Sequence, residues 1–232
     1  MALGVRRFGL ATLLYALAGA LSYRTAMGHM ALYIHPRYEL LVYGCALVIF
    51  LFGTMTISAH TQPPAFGSLM LLVPVVLAVA IAPKPLGSAA LAGQLHSLNA
   101  VAPAAQTTNP TDAPTDRAQW DLYDWAVASS VDITPYAGSP VAVEGFVVQN
   151  PDLDLPIDQL MVARYVLKCC TADAGGVGMR VVWSNPGQFR SDTWVRITGT
   201  LAVESSAGMP RPLIQADSIV PIAQPKRPYL LP

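Results

Sequence analysis

The sequence predicts a multi-pass membrane protein whose amino-terminal helical hairpin-type region is followed by an all-β barrel with a short flanking helix. Three observations carry that reading. Between Glu39 and Asp112 the only formal charge is Lys84, and Leu40–Pro83 has no Asp, Glu, Lys or Arg. Of the 28 charged residues, 22 lie at or beyond Asp112, so the halves differ in solvent. Beyond Pro140 the apolar period falls to two, the spacing of a half-buried strand.

The apolar half divides into three runs. Arg6 and Arg7 lead into Phe8–Tyr23, which is free of charge until Arg24. Leu40–Ile57 and Leu69–Ala82 follow, joined by a segment with His60, Gln62, Pro63 and Pro64. A membrane helix needs about 20 mostly apolar residues at about 1.5 Å each. The expectation is a membrane region over 1–98 with helices at about 8–30, 39–58 and 66–82. The first run also has the basic start and Ala16-Leu17-Ala18 site of a secretory signal, the competing reading. Ala16, Gly19 and Ala20 are the small residues expected to admit a neighbouring helix.

The loop Tyr33-Ile34-His35-Pro36-Arg37-Tyr38 should interrupt the helices, because proline disfavours helix at the residue before it. His35, Pro36, Arg37 and Tyr38 suit the headgroup zone, where amphipathic rings and long cations are favoured. A polar path or metal site using His29, His35 and His60 is the alternative. The Arg6/Arg7 start and three spans place the amino terminus in the cytoplasm and the carboxy-terminal domain outside it, in a multi-pass protein of the cell membrane.

Residues 99–118, rich in Ala, Pro, Thr and Asn, are expected to form a flexible linker before a barrel domain over 119–232. Gln119–Ser130 has Trp120, Tyr123 and Val127 at helical spacing. Strands are expected at Val141–Val148, Met161–Cys169, Val177–Trp183, Trp194–Val203 and Leu213–Ile222, and Gly175–Gly178 reads as a hairpin turn. Val143, Phe146, Val166, Val181, Ile197 and Leu201 are the expected core. Five short strands, with Gly145 in the first and Gly199 in the fourth where a small barrel must coil, resemble an OB-fold.

Many OB-folds bind nucleic acid, but residues 112–232 hold nine Lys or Arg against thirteen Asp or Glu, opposite to the basic footprint such binding needs. No nucleic-acid partner is therefore expected. Histidine, the commonest general base, does not occur after His96. No catalytic residues are identified, and the chain does not read as an enzyme.

Lys168-Cys169-Cys170-Thr171-Ala172-Asp173 is the most specific chemical feature. Alternation along a strand turns Cys169 to the core behind Tyr165 and Leu167, with Cys170 outward. On that reading one cysteine is buried and the other incidental. If the strand ends first and the chain turns, Cys169, Cys170 and Asp173 instead become a metal set suited to Zn²⁺, one ligand short of four. A vicinal disulfide is the third possibility, open to a domain outside the cytoplasm.

These segments together resemble the YcgQ-like bacterial family of permease subunits. The residues that carry the resemblance are Tyr33–His35-Pro36, Pro74, Pro83–Leu86, Val143-Glu144-Gly145-Phe146-Val147, Arg164-Tyr165-Val166, Cys169–Ala174, Val195–Leu201, Ile214–Ile219 and Pro225–Leu230. The resemblance implies a subunit of a two-component transporter beside a larger multi-helix permease, with a metal ion as one candidate solute. Three spans with no acidic residue inside them make a poor transport path alone, which agrees with an accessory role. A membrane-anchored extracytoplasmic module binding metal or ligand by itself is the alternative.

Overall fold

The computed structural model describes residues 2–58, 65–91, 116–149, 153, 155–206 and 209–231. His60, His96 and most of the expected linker fall outside them. The chain forms two compact units, Met1–Pro85 and Leu86–Pro232.

The first unit is helical, with α1 at Ala2–Ala26, α2 at Glu39–Ser58 and α3 at Ala65–Ala80. Gly28, at φ 73°, turns the chain out of α1 into a 3-10 turn at His29–Leu32. Pro36 then opens a second such turn, whose cap is His35: its Nδ1 accepts the Arg37 N–H at 3.1 Å. Proline at a first helical position has no N–H to lose, so His35-Pro36 both interrupts the chain and starts the next helix. Helices α1 and α2 meet through Ala11 and Ala18 on one side and Ala46 and Gly53 on the other, all buried. A Cβ on Gly53 would lie 2.7 Å from the Tyr15 ring. The small residues Ala16, Gly19 and Ala20 line a groove that also includes Pro83.

Among the described residues one helical stretch, Pro36–Ser58, is long and apolar enough to cross a membrane, with a mean hydropathy of 2.3. Leu40, Leu41, Leu47, Phe52 and Met55 on α2 are exposed, which suits lipid rather than water. The other two expected spans are helices too. However, α1 carries three arginines, and α3 has sixteen residues with Pro74 inside.

The second unit is a closed five-stranded barrel in the order β1-β2-β3-β5-β4. Its strands are β1 (Pro140–Val148), β2 (Gln159–Val166), β3 (Gly175–Val182), β4 (Trp194–Ser206) and β5 (Met209–Pro221). Antiparallel β1–β4 pairing and a short parallel β3–β5 contact close it. Closure requires tight coiling at the two glycines singled out in the sequence. A Cβ on Gly199, beside the β4–β5 register shift, would lie 2.1 Å from the Gln215 carbonyl oxygen. One on Gly145 would lie 2.6 Å from that of Ala163. Gly175–Gly178 is not a turn but the start of β3, where Gly178 passes close to the Val162 carbonyl.

A four-residue helix, α4 (Ser88–Leu91), and a longer one, α5 (Leu122–Val131), precede the barrel. Asp121 and Asp124 form a reciprocal capping box that fixes where α5 begins. Trp125 and Leu122 drive into the barrel interior with Val143, Val162, Val181, Ile197, Leu201 and Ile214. A second apolar cluster lies outside the barrel wall. There Phe146, Val148, Met161, Tyr165 and Leu167 are covered by Leu91, Leu153 and Tyr229. All six expected core positions are buried, but Phe146 belongs to this outer layer. With both faces covered, β1 and β2 lose apolar–polar alternation, as strands buried on both sides do.

Candidate metal centre

The β2–β3 connection carries the site, and its geometry starts from how β2 ends. Strand β1 pairs with β2 only over Met161–Ala163, which leaves the edge beyond open. The carboxy-terminal segment fills it. Leu230 N–H donates to the Tyr165 carbonyl at 2.8 Å, and Leu167 N–H donates to the Leu230 carbonyl at 2.9 Å. Arg164 reaches the same segment, donating from Nε to the Pro228 carbonyl at 2.9 Å and from its terminal nitrogen to that of Arg227 at 2.7 Å. Two segments more than sixty residues apart in sequence thereby fix the chain up to Leu167.

At Lys168 the chain leaves this ladder and turns. Cys170 caps a 3-10 turn at Thr171–Asp173 that folds the Asp173 carboxylate back over the preceding residues. One carboxylate oxygen accepts the Lys168 N–H at 3.2 Å, and the other accepts the Cys169 N–H at 2.8 Å. The sulfurs of Cys169 and Cys170 lie 3.6 Å apart. One ligand atom from each of Cys169, Cys170 and Asp173 fits within 4.8 Å of the others.

The expected inward placement of Cys169 does not occur. Tyr165 and Leu167 are buried, yet Cys169 is exposed and Cys170 half-buried. The reason is that β2 stops at Val166, so strand alternation no longer governs residues 169 and 170. Both thiols belong to the turn and point to one place. Both are free thiols.

The electrostatics follow from these contacts. Hydrogen bonding to Asp173 and then to Cys170 pushes the Cys169 thiol up to about 11. For Asp173, desolvation works against ionisation, but hydrogen bonds from the Cys169 side chain and nearby N–H groups outweigh it and hold the carboxyl below its ordinary value. The group is a prearranged pair of sulfurs with an ionised carboxylate at its side. Two thiolates and a carboxylate fit zinc in donor type, leaving a fourth position for water or an incoming ligand.

His35, Pro36, Arg37 and Tyr38 gather at the start of α2. The Arg37 guanidinium lies 5.5 Å from the Tyr38 ring centre, and the His35 ring meets Tyr38 edge-on at 6.4 Å. Sequence reasoning did not anticipate Arg24, which donates to the Ile81 carbonyl at 3.0 Å just past α3. Its signal was a lone cation between apolar runs, a residue type that satisfies helix-end carbonyls. A groove of about 450 Å³ lies beside it, lined by Ala16, Gly19, Tyr23, His29 and Pro83.

Also unanticipated was the strap over the outer cluster. Tyr165 OH donates to the Gly87 carbonyl at 3.0 Å, Leu86 N–H donates to Tyr229 Oη at 3.0 Å, and Ser88 N–H donates to Asp192 at 2.6 Å. Leu86–Leu91 packs with the barrel, within the 1–98 range expected for the membrane region.

Residues 121–232 match the model of the family described as the DUF1980 C-terminal domain. No curated protein and no solved structure matches the chain. The stretch matched holds the barrel, the paired cysteines and the segment that clamps β2, and over that stretch the chain is similar to this family.

Proposed function

We propose that this chain is the accessory membrane subunit of a YcgQ-like two-component permease. In this reading it is a multi-pass protein of the cell membrane with an extracytoplasmic barrel that binds the permease partner or presents solute to it, a metal ion being the candidate. The observation that carries the reading is the union in one chain of a charge-poor apolar helix with a barrel bearing an exposed dithiol–carboxylate turn. Helix α3 has no charged residue and α2 only Glu39 at its first position, so neither supplies the ionisable lining of a transport path. A separate pore subunit would supply it. The barrel half has no histidine, and the role proposed is binding rather than catalysis.

Affinity purification of the full chain from mild detergent tests this. The expected result is a large multi-helix permease co-purifying in fixed ratio. A chain that emerges alone and still binds its solute supports instead a self-sufficient membrane-anchored binding module.

A further inference from the structure

We propose that Cys169, Cys170 and Asp173 form an exchangeable site for a thiophilic divalent cation of the zinc class, taken up as cargo and handed on. The proposal deepens the permease-subunit reading by naming the solute class. Its chemistry, though, rests on the barrel alone.

Spacing and donor type together suit one class of ion. Zinc–thiolate bonds of about 2.3 Å at a tetrahedral angle place two sulfurs about 3.8 Å apart, whereas a linear ion with the same bonds needs about 4.6 Å. The observed 3.6 Å lies beside the tetrahedral value. Hard cations such as Mg²⁺ and Ca²⁺ call for six or more oxygens, and this turn offers one carboxylate. Soft thiolate donors select zinc-like ions over them.

The turn is built before any ion arrives. Its first end is pinned by the Leu167–Leu230 hydrogen bond and by Arg164 on Arg227 and Pro228. Its far end enters β3 at Gly175, paired there with Val166. Asp173 holds the N–H groups of both Lys168 and Cys169, so the carboxylate stands at the sulfurs without an ion to attract it. Little conformational freedom remains to be lost on binding, which favours affinity from few ligands.

Exposure and ligand count make the site one of transfer. Structural zinc sites are closed by four protein ligands, whereas three ligands leave an open position. Here all three candidates come from five consecutive residues, Cys169 and Asp173 are exposed, and one side faces solvent. Binding releases the two thiol protons as the sulfurs become thiolates. An acceptor entering the open position can then take the ion by stepwise ligand exchange, with no oxidant or reductant required.

The test uses the full chain in mild detergent, in a Cys45→Ser background that leaves only this pair of thiols. The protein is reduced, freed of reductant and titrated with Zn²⁺ against a chromophoric chelator. A parallel titration with Cd²⁺ follows the thiolate-to-metal absorption band. The expected outcome is one ion per chain, a band requiring both thiolates, and no displacement by a large excess of Mg²⁺. Cys169→Ser and Cys170→Ser should each weaken binding by at least about tenfold, and Asp173→Asn by about tenfold, the usual scale for a lost supporting ligand. Circular dichroism of each variant should match the parent, since Cys169 and Asp173 are exposed, Cys170 is half-buried, and all three lie in a short turn outside the strands.

Zinc affinity unchanged in the double serine variant would overturn the proposal, as would a reduced parent that binds no zinc. Thiols that react only after reduction, in a protein that then still binds none, would assign the pair to a vicinal disulfide and overturn it too. The two readings fail separately: loss of zinc binding leaves co-purification with a permease untouched, and a chain that purifies alone leaves the zinc titration untouched.

Discussion

Asp173 shows how one side chain organises a turn that has little else to hold it. Its two oxygens take the N–H groups of Lys168 and Cys169, which would otherwise face solvent without a fixed partner. Because these bonds favour the ionised form, the folded carboxyl titrates below its unfolded value. The sign of the pH effect follows. The stabilisation is fully present above the unfolded carboxylate pKa of about 3.9 and is lost as pH falls through the lowered folded value. Protection of the Cys169 amide, taken relative to the intrinsic exchange rate at each pH, should therefore hold down to about pH 4 and fall below it. In Asp173→Asn that acid-side change should vanish, and its persistence would show that another group holds the turn. The same residue scale explains the cysteines. Alternation orients a side chain only while the chain remains a strand, and β2 ends three residues before Cys169.

At the scale of elements, β1 and β2 carry two cores at once. Val141, Val143 and Val147 face the barrel interior, while Phe146 and Val148 face the outer cluster. Phe146 stacks on Tyr165 with ring centres 5.9 Å apart and meets Trp194 edge-on at 5.7 Å. Truncating Phe146 to Ala should cost about 3–5 kcal/mol, the range for a buried aromatic that leaves a cavity. Denaturant unfolding of the full chain in detergent measures it, and a change below about 1 kcal/mol would mean that the outer cluster collapses to fill the gap. The unbroken apolar run Phe146-Val147-Val148 does not by itself tell which residue faces where. Helix α5 was more legible. Its aromatic spacing marks the element, but the helix begins at Leu122 behind the Asp121 cap and not at Gln119, where the spacing alone would start it.

For the whole molecule, the arrangement of charge decides where each unit can live. The apolar face of α2 suits a bilayer, whereas β4 and β5 alternate buried Ile197, Leu201 and Ile214 with exposed polar positions such as Thr198, Thr200 and Gln215. The proposed topology, a cytoplasmic amino terminus and three spans, would put the barrel outside the cytoplasm. A reporter active only in the cytoplasm, fused after Pro232, should then be silent in intact cells. Strong activity would reverse the orientation. The zinc titration and the permease pull-down extend this reading to chemistry and partner.

The sequence by itself determined a charge-poor helical half, a five-stranded barrel, and the glycines where that barrel coils. Each of these is a local property: hydropathy over a window, a period of two, or a residue without Cβ where backbones approach. It also picked out Cys169, Cys170 and Asp173 as one candidate set, because five consecutive residues cannot lie far apart. What only the tertiary structure decided was the direction in which the thiols point. That depends on where β2 loses its partner, and its partner there is Leu230, sixty-four residues beyond Val166. The outer cluster was hidden for the same reason. Leu91 and Tyr229 stand in short apolar patches of the sequence, and no periodicity links them to Phe146. Long-range docking of two non-strand segments leaves no repeat in the sequence, so the cover of the barrel and the frame of the cysteine turn appeared only with the fold.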